Sequence, residues 1–360
     1  MATEARAAAL ARTRSVGALR IRERLEQREA GLAVHATRSA AARRDLAEEP
    51  APTRTAFQVD RDRIVHSKSF RRTKHKTQVF LAPLGDHYRT RLTHILEVSQ
   101  IGRSMAVGLD LNEDLVEAAA LGHDVGHTPF GHVGEELLAR FLPDGFRHNQ
   151  QSVRVLERFE RGGRGLNLTH EVRDAILKHS APTDGGVQTA AWGQPETAEG
   201  WVVRYADKIA YLHHDIDDAV RAGIIAEDDL PAAARAALGQ TRSERLDTMV
   251  YDVIVSSVGK AVPTMSDEVL EATNDLRRWM FQNVYLYGPA KTEDDKAQNL
   301  LWQLLQHFEK VPATMPSEYQ RIAEAEGTKR GVADYIAGMT DGYAIDTYES
   351  LYVPAAWSRR

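Results

Sequence analysis

Apolar residues recur at helical spacing along most of this chain. Over residues 88–109 they return every three or four positions, as Leu92, Ile95, Leu96, Val98, Ile101 and Met105, which is typical of a helix with one packed side. The same pattern, with capping residues at several starts, predicts further helices over residues 20–29, 112–124, 152–161, 171–179, 199–221, 230–238, 243–259, 266–283 and 293–310, and one opening at Glu135. The pattern therefore predicts an all-α protein.

A helical hairpin is expected before residue 125. Asn112 is a favoured N-cap residue, and the two acidic residues after it suit the first turn of a helix. This helix should end at His123 and Asp124, because glycine and proline follow. A tight turn over residues 108–112 joins it to the preceding helix, so the far ends of the two helices should meet. His94, near the start of the first helix, is therefore expected close to His123.

Three histidines and one aspartate fall within ten residues at the end of this hairpin: His123, Asp124, His127 and His132. An isolated His-Asp pair is more often a helix-terminal histidine beside a carboxylate. This density, next to glycines that allow close approach, favours a site instead. Imidazole nitrogens and carboxylate oxygens bind divalent ions such as Mn, Fe, Zn or Mg. His127 and His132 are predicted on the loop that follows the helix.

The helix over 199–221 carries polar residues along one continuous face. They are Asp207, Tyr211, Asp215 and Asp218, at i, i+4, i+8 and i+11, with Lys208 and His214 beside them. A solvated face would normally alternate charge signs, whereas this one stacks acids behind a tyrosine. We therefore favour a functional face, on which Asp207 completes a shell with His94, His123 and Asp124.

The composition narrows the chemistry of such a site. The chain has 360 residues, of which 42% are hydrophobic and 27% charged, a net charge of −5 and no cysteine. Without cysteine there is neither a disulfide framework nor a thiolate metal site, so any metal must bind N and O ligands. No apolar run reaches the length of about 18 residues that a membrane span needs, and no membrane partner is expected.

The N-terminal 53 residues are read as an Arg/Ala-rich segment and linker. Residues 1–44 carry ten Arg against four Glu, a bias that Arg-rich transit peptides also have. Over residues 20–29, however, the two charge signs interleave as on a solvated helix. The Ala, Glu and Pro residues at 47–52 indicate a linker.

A basic segment follows at residues 54–76. Its cations are Arg54, Arg61, Arg63, Lys68, Arg71, Arg72, Lys74 and Lys76. Such cations form either a solvated face or a patch that binds nucleic acid. Because apolar residues are interspersed, part of the segment is instead expected to be packed. Packed arginines near a metal site often hold phosphates.

The segment 332–344 is rich in aromatic residues. Tyr335, Tyr343 and Tyr348, with Met339 and Asp341, could line a pocket for a nucleobase. Aromatic residues at helical spacing are equally typical of a packed core, so both interpretations stay open.

A resemblance to a known family rests on these residues together. His94, then His123-Asp124, then Asp207 resembles the H…HD…D signature of the HD-domain phosphohydrolases. Longer strings are similar to the bacterial deoxyguanosinetriphosphate triphosphohydrolases, above all their shorter, type 2 members: Phe70-Arg-Arg, Lys76-Thr-Gln-Val-Phe80, Asp86-His-Tyr-Arg-Thr-Arg-Leu-Thr-His94, Leu121 to His132, Ala206 to Tyr211 and Asp334 to Asp341. The similarity runs from about residue 60 to residue 352.

The resemblance implies an HD-domain helical bundle with additional C-terminal helices, and a metal-dependent activity. That family cleaves a dNTP at the α-phosphorus to a deoxynucleoside and tripolyphosphate. The implied ligands of a divalent metal (Mn²⁺, Mg²⁺ or Fe²⁺) are His94, His123, Asp124 and Asp207. No Walker-type glycine loop or Rossmann fingerprint is present, so side chains and metal must hold the phosphates.

Other roles carry over residue by residue. His127 and His148 match the histidines at the scissile phosphate, and Glu135 stands where the family has an acid that orients the second of them. Here the acid is Glu rather than Asp, which lengthens its reach. The implied substrate-binding residues are Gln78, Arg91, His132, Lys208, Tyr211, Asp215, Asp341 and Tyr343. Arg91 and Lys208 match cations at the triphosphate. Gln78, Tyr211 and Asp215 match residues at the sugar.

The sequence therefore predicts a cytoplasmic dNTP hydrolase that favours dGTP and forms a homo-oligomer. Single-stranded nucleic acid or an allosteric nucleotide is a further partner to test. The predicted parts are 1–53 as N-terminal segment and linker, 54–224 as catalytic core, and 225–360 as helices packed on the core and contributing to the nucleotide pocket. Two alternatives stay open. One is an HD-domain phosphodiesterase or 5′-nucleotidase, and the other is a nucleic-acid-binding regulator that uses the basic segment.

Overall fold

The structure is a computed structural model, which describes residues 19–78, 89–180, 183–184, 187–188, 193–285 and 290–354. Its helices are α1 Leu19–Arg28, α2 Ala56–Val65, α3 Lys68–Arg72, α4 Arg91–Gly108, α5 Glu113–Gly122, α6 His132–Phe141, α7 His148–Arg154, α8 Glu160–Gly163, α9 His170–Lys178, α10 Ala198–Arg221, α11 Ala232–Leu238, α12 Arg242–Ser257, α13 Asp267–Met280, α14 Ala290–Lys310, α15 Ser317–Glu326, α16 Thr328–Ala337 and α17 Asp341–Tyr352. π-Helical turns at Val155–Phe159 and Phe281–Tyr285 continue α7 and α13. Strands β1 Thr183–Asp184 and β2 Val187–Gln188 pair antiparallel. The predicted all-α class is confirmed.

The helices around the predicted site begin where capping residues place them. The Asn112 side chain accepts from the Leu115 N–H and starts α5, and the Thr197 hydroxyl accepts from the Gly200 N–H and starts α10. Both helices were predicted from the sequence within two residues. The starts of α6 and α7 were predicted too late. His132 is the first residue of α6 rather than part of the loop, and His148 is the first residue of α7.

Apolar side chains form two clusters. The first contains residues of α2, α4, α5 and α9 to α13. The second contains residues of α6 and α14 to α17. Helix α6 therefore packs with the C-terminal helices, although it lies within the predicted range 54–224. That division of the chain stays a prediction. Among the described residues no helix is long and apolar enough to cross a membrane.

The arginines at the start of the basic segment bind acids of the same chain. Arg54 pairs with Asp62 at 2.5 Å, and Arg63 pairs with Glu48 at 2.7 Å. Arg61 pairs with Glu117 on α5 at 3.3 Å. Arg61 thus connects α2 to α5, and Arg54 and Arg63 bind acids at or next to α2. Lys68, Arg71 and Lys74 of the same segment are exposed.

Candidate active site

Four side chains meet in one cluster, of which three are buried and one, Asp207, is partly exposed. His94 lies in the first turn of α4, His123 and Asp124 directly follow α5, and Asp207 lies in the middle of α10. His94 Nε2 is 3.1 Å from Asp207 Oδ1 and 3.8 Å from Asp124 Oδ2. His123 Nε2 is 3.4 Å from Asp124 Oδ1 and 3.6 Å from Asp207 Oδ1. We call His94, His123, Asp124 and Asp207 the ligand cluster. The structure brings together the four residues that the sequence singled out.

The hydrogen bonds of His123 direct one ring nitrogen into this cluster. Its Nδ1 lies 2.6 Å from the Ala120 carbonyl oxygen, to which it donates. Its Nε2 is buried and makes no hydrogen bond within the described part of the chain. Burial opposes a charge on this ring, but Asp124 and Asp207 raise the pKa of His123 to about 9.

A divalent cation fits between these groups. The orphaned Nε2 of His123 faces two carboxylates, so either a proton or a cation must lie among them. Two imidazole nitrogens and two carboxylates are a donor set that Mn²⁺, Fe²⁺ or Zn²⁺ accepts. A metal would displace the proton from His123, because a ligating imidazole must be neutral at the binding atom.

A second group of side chains lies against Asp124. His127 Nδ1 is 3.2 Å from Asp124 Oδ1, and the rings of His127 and His148 are 3.9 Å apart. His148 donates through Nδ1 to Glu135 at 3.0 Å, and its backbone N–H donates to the same carboxylate at 2.8 Å. The backbone of α7 is close because Gly126 allows it: a Cβ there would lie 2.1 Å from the backbone nitrogen of Ser152.

Burial and neighbouring charges distinguish the two histidines of this group. Burial, with the positive charge of Arg91, lowers the pKa of His127 well below its usual value. Burial also acts against charge on His148, but the Glu135 carboxylate raises the pKa of His148 overall. Although burial favours the neutral acid, His148 holds the pKa of Glu135 well below its usual range. Glu135 therefore helps His148 to keep a proton.

His179 is a buried member of this site that the sequence did not single out. It follows α9 as His123 follows α5, and its Nδ1 donates to the Ile176 carbonyl at 2.7 Å. Its Nε2 lies 3.2 Å from His148 Nε2. Burial, with the charge of His123, lowers the pKa of His179 to about 3. His123 and His179 share one feature: each lies at a helix end and donates to the carbonyl three residues earlier.

Arg91 is buried between the ligand cluster and the backbone of the segment at Thr77. Its Nη1 donates to Asp124 at 2.5 Å, and its Nη2 donates to the Thr77 carbonyl at 3.1 Å. Its Nε is buried without a hydrogen bond in the described part of the chain. The guanidinium thus lies beside the site, with Asp124 as its present partner.

Two further cations are Lys208, next to Asp207 on α10, and Arg277 on α13. Lys208 donates to Asn274 on α13 at 2.8 Å. Burial, with the positive charge of Arg277, lowers the pKa of Lys208 to about 8. Arg277 also lowers the pKa values of Tyr211 and Asp215, against the larger effect of burial. Sequence reasoning missed Arg277, because its helix lies beyond residue 224 and shows only ordinary amphipathic spacing.

The three residues expected at a sugar are buried or half-buried. Asp215 is fully buried, and burial raises its pKa well above the usual value, with a further contribution from Asp218. Burial and the neighbouring Asp215 likewise raise the pKa of Tyr211. The side-chain oxygen of Gln78 is buried and has no hydrogen bond in the described part of the chain.

His132 lies between the acid–base histidines and this face of α10. Its ring centroid is 6.3 Å from those of both His127 and Tyr211. Its side chain is 66% exposed, and Nδ1 is 4.0 Å from Glu135. An exposed polar ring between two buried groups suits contact with a ligand.

The hydrogen bonds of Asp341 are made to other parts of the chain, whereas a residue of a base pocket would be expected to face a ligand. One carboxylate oxygen accepts from the Thr77 N–H at 2.8 Å and from its hydroxyl at 2.5 Å. The other accepts from the Phe130 N–H at 3.0 Å. One oxygen thus ties the segment at Thr77 to α17, and the other ties the loop after Asp124 to α17. Tyr343 is half-exposed, and its hydroxyl lies 3.1 Å from that of Tyr335. A base pocket at these two residues stays a prediction.

Comparison with known proteins identifies the family. A family model described as HD domain matches residues 91–212, and one described as phosphohydrolase-associated domain matches residues 263–350. A protein of Caldanaerobacter subterraneus subsp. tengcongensis named "deoxyguanosinetriphosphate triphosphohydrolase-like protein" is 51% identical over 94% of this chain and 98% of its own length. The chain belongs to this deoxyguanosinetriphosphate triphosphohydrolase-like family of HD-domain hydrolases. The resemblance stated from the sequence is thereby confirmed.

Further relatives of the same name agree. That of Clostridium perfringens is 50% identical over 86% of this chain and 91% of its own length. The relative from Geobacter sulfurreducens is 40% identical over 90% of this chain and 96% of its own length. A solved structure described as a hypothetical protein from Aquifex aeolicus matches with 19% identity and a TM-score of 0.43, covering 80% of this chain and 67% of that one. The HD-domain match contains the whole ligand cluster, and the second match contains Arg277 and Asp341.

Proposed function

We propose that this member of the family is a metal-dependent dNTP triphosphohydrolase, with dGTP favoured. It would cleave the nucleotide to deoxynucleoside and tripolyphosphate. The observation that carries the proposal is the ligand cluster in direct contact with the acid–base group His127, Glu135 and His148. The names of the relatives, which share most of the chain, support the substrate class.

The ligand cluster would hold Mn²⁺, Mg²⁺ or Fe²⁺, which when bound supplies a Lewis acid for a phosphoryl oxygen and activates water. The rest of the chemistry belongs to the chain. Water adds to the α-phosphorus while the bond from that phosphorus to the 5′-oxygen breaks. The departing 5′-oxygen needs a proton, which His148 can hold because Glu135 accepts from its other nitrogen.

The cations around the cluster fit a triphosphate. Arg91 donates to Asp124, Lys208 follows Asp207 in α10, and Arg277 lies near enough to lower the pKa of Lys208. A triphosphate carries about four negative charges, and fixed cations stabilise the additional charge that develops during transfer. Tyr211, Asp215 and Gln78 would contact the sugar. This arrangement supports a nucleoside triphosphate more than a monophosphate or a cyclic nucleotide.

The direct test is product analysis. The purified protein would be incubated with each dNTP and Mn²⁺, and the products resolved by ion-exchange chromatography. We expect deoxynucleoside and tripolyphosphate as the initial products, formed fastest from dGTP. Initial formation of dNMP with pyrophosphate would contradict the proposal, as would cleavage restricted to nucleoside monophosphates or cyclic nucleotides.

The assembly and partner predictions are not needed for this test. A homo-oligomer, a cytoplasmic location and binding of an allosteric nucleotide or single-stranded nucleic acid stay predictions. Arg54, Lys68, Arg71 and Lys74 are the exposed cations of the segment 54–76 on which a nucleic-acid partner would depend.

A further inference from the structure

A third histidine lies directly behind the ligand cluster. His214, on α10, is two turns after Asp207 and fully buried. Its Nδ1 lies 3.3 Å from His94 Nδ1, and the two rings meet edge to face, with centroids 5.4 Å apart. Its other nitrogen, Nε2, contacts Glu97 Oε2 on α4. Three side chains therefore form a row in the order His94, His214, Glu97.

When His94 ligates a cation, only one placement of protons makes both contacts of His214, to His94 and to Glu97, hydrogen bonds. The Nε2 atom of His94 faces Asp207 and Asp124 in the cluster, so it must carry the lone pair. The proton of His94 then sits on Nδ1 and is donated to His214 Nδ1. His214 in turn carries its proton on Nε2 and donates it to Glu97.

Glu97 selects this arrangement over its reverse. If His214 donated through Nδ1 to His94, its neutral ring would present a lone pair to the Glu97 carboxylate, which is repulsive. A carboxylate accepts and cannot donate, so the donor direction must run towards Glu97.

An ion pair holds Glu97 in place. Arg89 Nε is 3.3 Å from Glu97 Oε2. Through Nη1 the same guanidinium contacts Asp217 and Asp218 of α10, each at 3.1 Å. The carboxylate is thereby fixed between the two helices that supply His94 and Asp207.

We propose that His214 and Glu97 are positioning residues, which fix the tautomer and orientation of His94 so that its Nε2 is directed at the metal. This inference rests on the proposed role of His94 as a ligand. Hydrogen bonds behind a ligating histidine orient its ring and raise its basicity, and their loss typically weakens metal binding about 10- to 100-fold.

The test is Mn²⁺ binding to the metal-free protein, followed by the electron paramagnetic resonance signal of free Mn²⁺. His214→Phe keeps a ring of similar size but has no acceptor, and we expect it to weaken Mn²⁺ binding about 10- to 100-fold. His214→Asn places an amide oxygen near the position of Nδ1, and we expect it to restore most of the affinity. Recovery by an acceptor alone is not expected of a residue that only fills space.

A neighbouring histidine gives the matched control. His213 is also buried, but its Nε2 accepts from Arg242 Nε at 2.6 Å, away from His94. His213→Phe should leave the Mn²⁺ affinity within about twofold of wild type. If His214→Phe does not fold, as judged by circular dichroism, the half-buried Glu97 gives a second pair: Glu97→Leu should weaken binding, and Glu97→Gln, which keeps an acceptor oxygen, should weaken it less.

The outcomes separate this inference from the proposed function. If His94→Ala loses Mn²⁺ while folded His214→Phe and Glu97→Leu bind it as wild type does, the positioning role is wrong and the metal site stands. If His94→Ala binds Mn²⁺ as tightly as wild type, the ligand role of His94 is wrong and the positioning role with it. Equal weakening by His214→Phe and His214→Asn would also contradict the inference.

Discussion

Two histidines in this site are oriented by the helices that they end. His123 and His179 each donate Nδ1–H to the carbonyl three residues earlier, so that Nε2 of each ring is directed into the site. The preference of a helix end for such a contact is local. The direction of these rings is therefore a property of short sequence segments and not only of tertiary packing.

Removing members of the ligand cluster should separate metal binding from chemistry. His123→Ala and Asp207→Ala each delete a proposed ligand, and we expect both bound metal and turnover to be lost. His127→Ala should keep the metal and lower turnover about 10²- to 10⁴-fold, the range typical of an acid–base residue. Elemental analysis and dGTP turnover measure the two quantities. Full metal content in His123→Ala or Asp207→Ala would contradict the ligand assignment.

His213 gives the protein a pH-dependent stability outside the site. Burial, with the charge of Arg242, lowers the pKa of His213 to about 4, whereas an unfolded histidine has a pKa of about 6.5. The unfolded state therefore binds the proton more strongly, so this contribution to stability is complete above about pH 7 and is lost as the pH falls through 6.5 towards 4.

Thermal unfolding between pH 7.5 and pH 5 tests this expectation. His213→Asn should be less stable at pH 7.5, because it loses the bond from Arg242, but its stability should fall less on acidification, by about 1 kcal/mol after allowance for solvent screening. His66→Asn, at an exposed histidine, is the control. A parallel decline of wild type and His213→Asn would contradict the expectation.

At this scale the sequence located the ligand cluster, because its members stand beside helix ends or at helical spacing. It did not indicate His179 or Arg277 as site residues. His179 becomes part of the site because α9 packs beside α10, and Arg277 because α13 contacts α10, where Lys208 donates to Asn274. Contacts between distant segments leave no spacing signal in a single sequence.

At the scale of the elements, helix α10 carries both the proposed metal ligand and the proposed sugar contacts. Asp207 is in the ligand cluster, and Tyr211 and Asp215 follow on the same face, about 6 Å and 12 Å further along the axis. This face could be predicted because helical periodicity fixes it. The starts of α6 and α7 could not be predicted in this way. Helix α6 begins directly after Gly131, which has a φ of 56°. In this segment glycine and proline indicate an irregular chain.

Sugar selection should depend on Asp215. A hydrogen bond between its carboxyl group and the 3′-hydroxyl of dGTP is worth roughly 0.5–3 kcal/mol, from a neutral to a charged partner, or about two- to hundredfold in rate. We expect 2′,3′-dideoxy-GTP to be a poor substrate, and Asp215→Ala to remove most of the difference from dGTP. Ratios of kcat/KM measure this effect. Equal rates on both nucleotides with wild type would show that this face is misplaced.

The contact between α17 and the loop after Asp124 should support both stability and turnover. Asp341 accepts three hydrogen bonds from Thr77 and Phe130, so Asp341→Ala leaves partly buried donors without an acceptor and should cost about 1–3 kcal/mol. Turnover should fall because His127 lies on the same loop. Asp346→Ala, at an exposed aspartate of the same helix, is the control. Identical unfolding midpoints for the two variants would contradict this role.

At the scale of the whole molecule, polar contacts join the two apolar clusters around the site. Lys76 is buried and donates to the carbonyls of His127 and Ala337. Asp334 of α16 accepts from Arg154, at 2.7 Å, and from Gln151 next to the site, at 2.9 Å. The helical class could be predicted from periodicity alone. The membership of α6 in the second cluster could not, because apolar spacing shows that a helix packs but not against which partner.

The central claim is that this protein breaks the bond between the α-phosphorus and the 5′-oxygen. The most direct measurement is hydrolysis of dGTP with Mn²⁺ in ¹⁸O-labelled water, followed by mass spectrometry of the first products. Attack of water at the α-phosphorus predicts tripolyphosphate that carries one ¹⁸O atom and deoxyguanosine that carries none. Label in deoxyguanosine, or dGMP and pyrophosphate as the first products, would contradict the account.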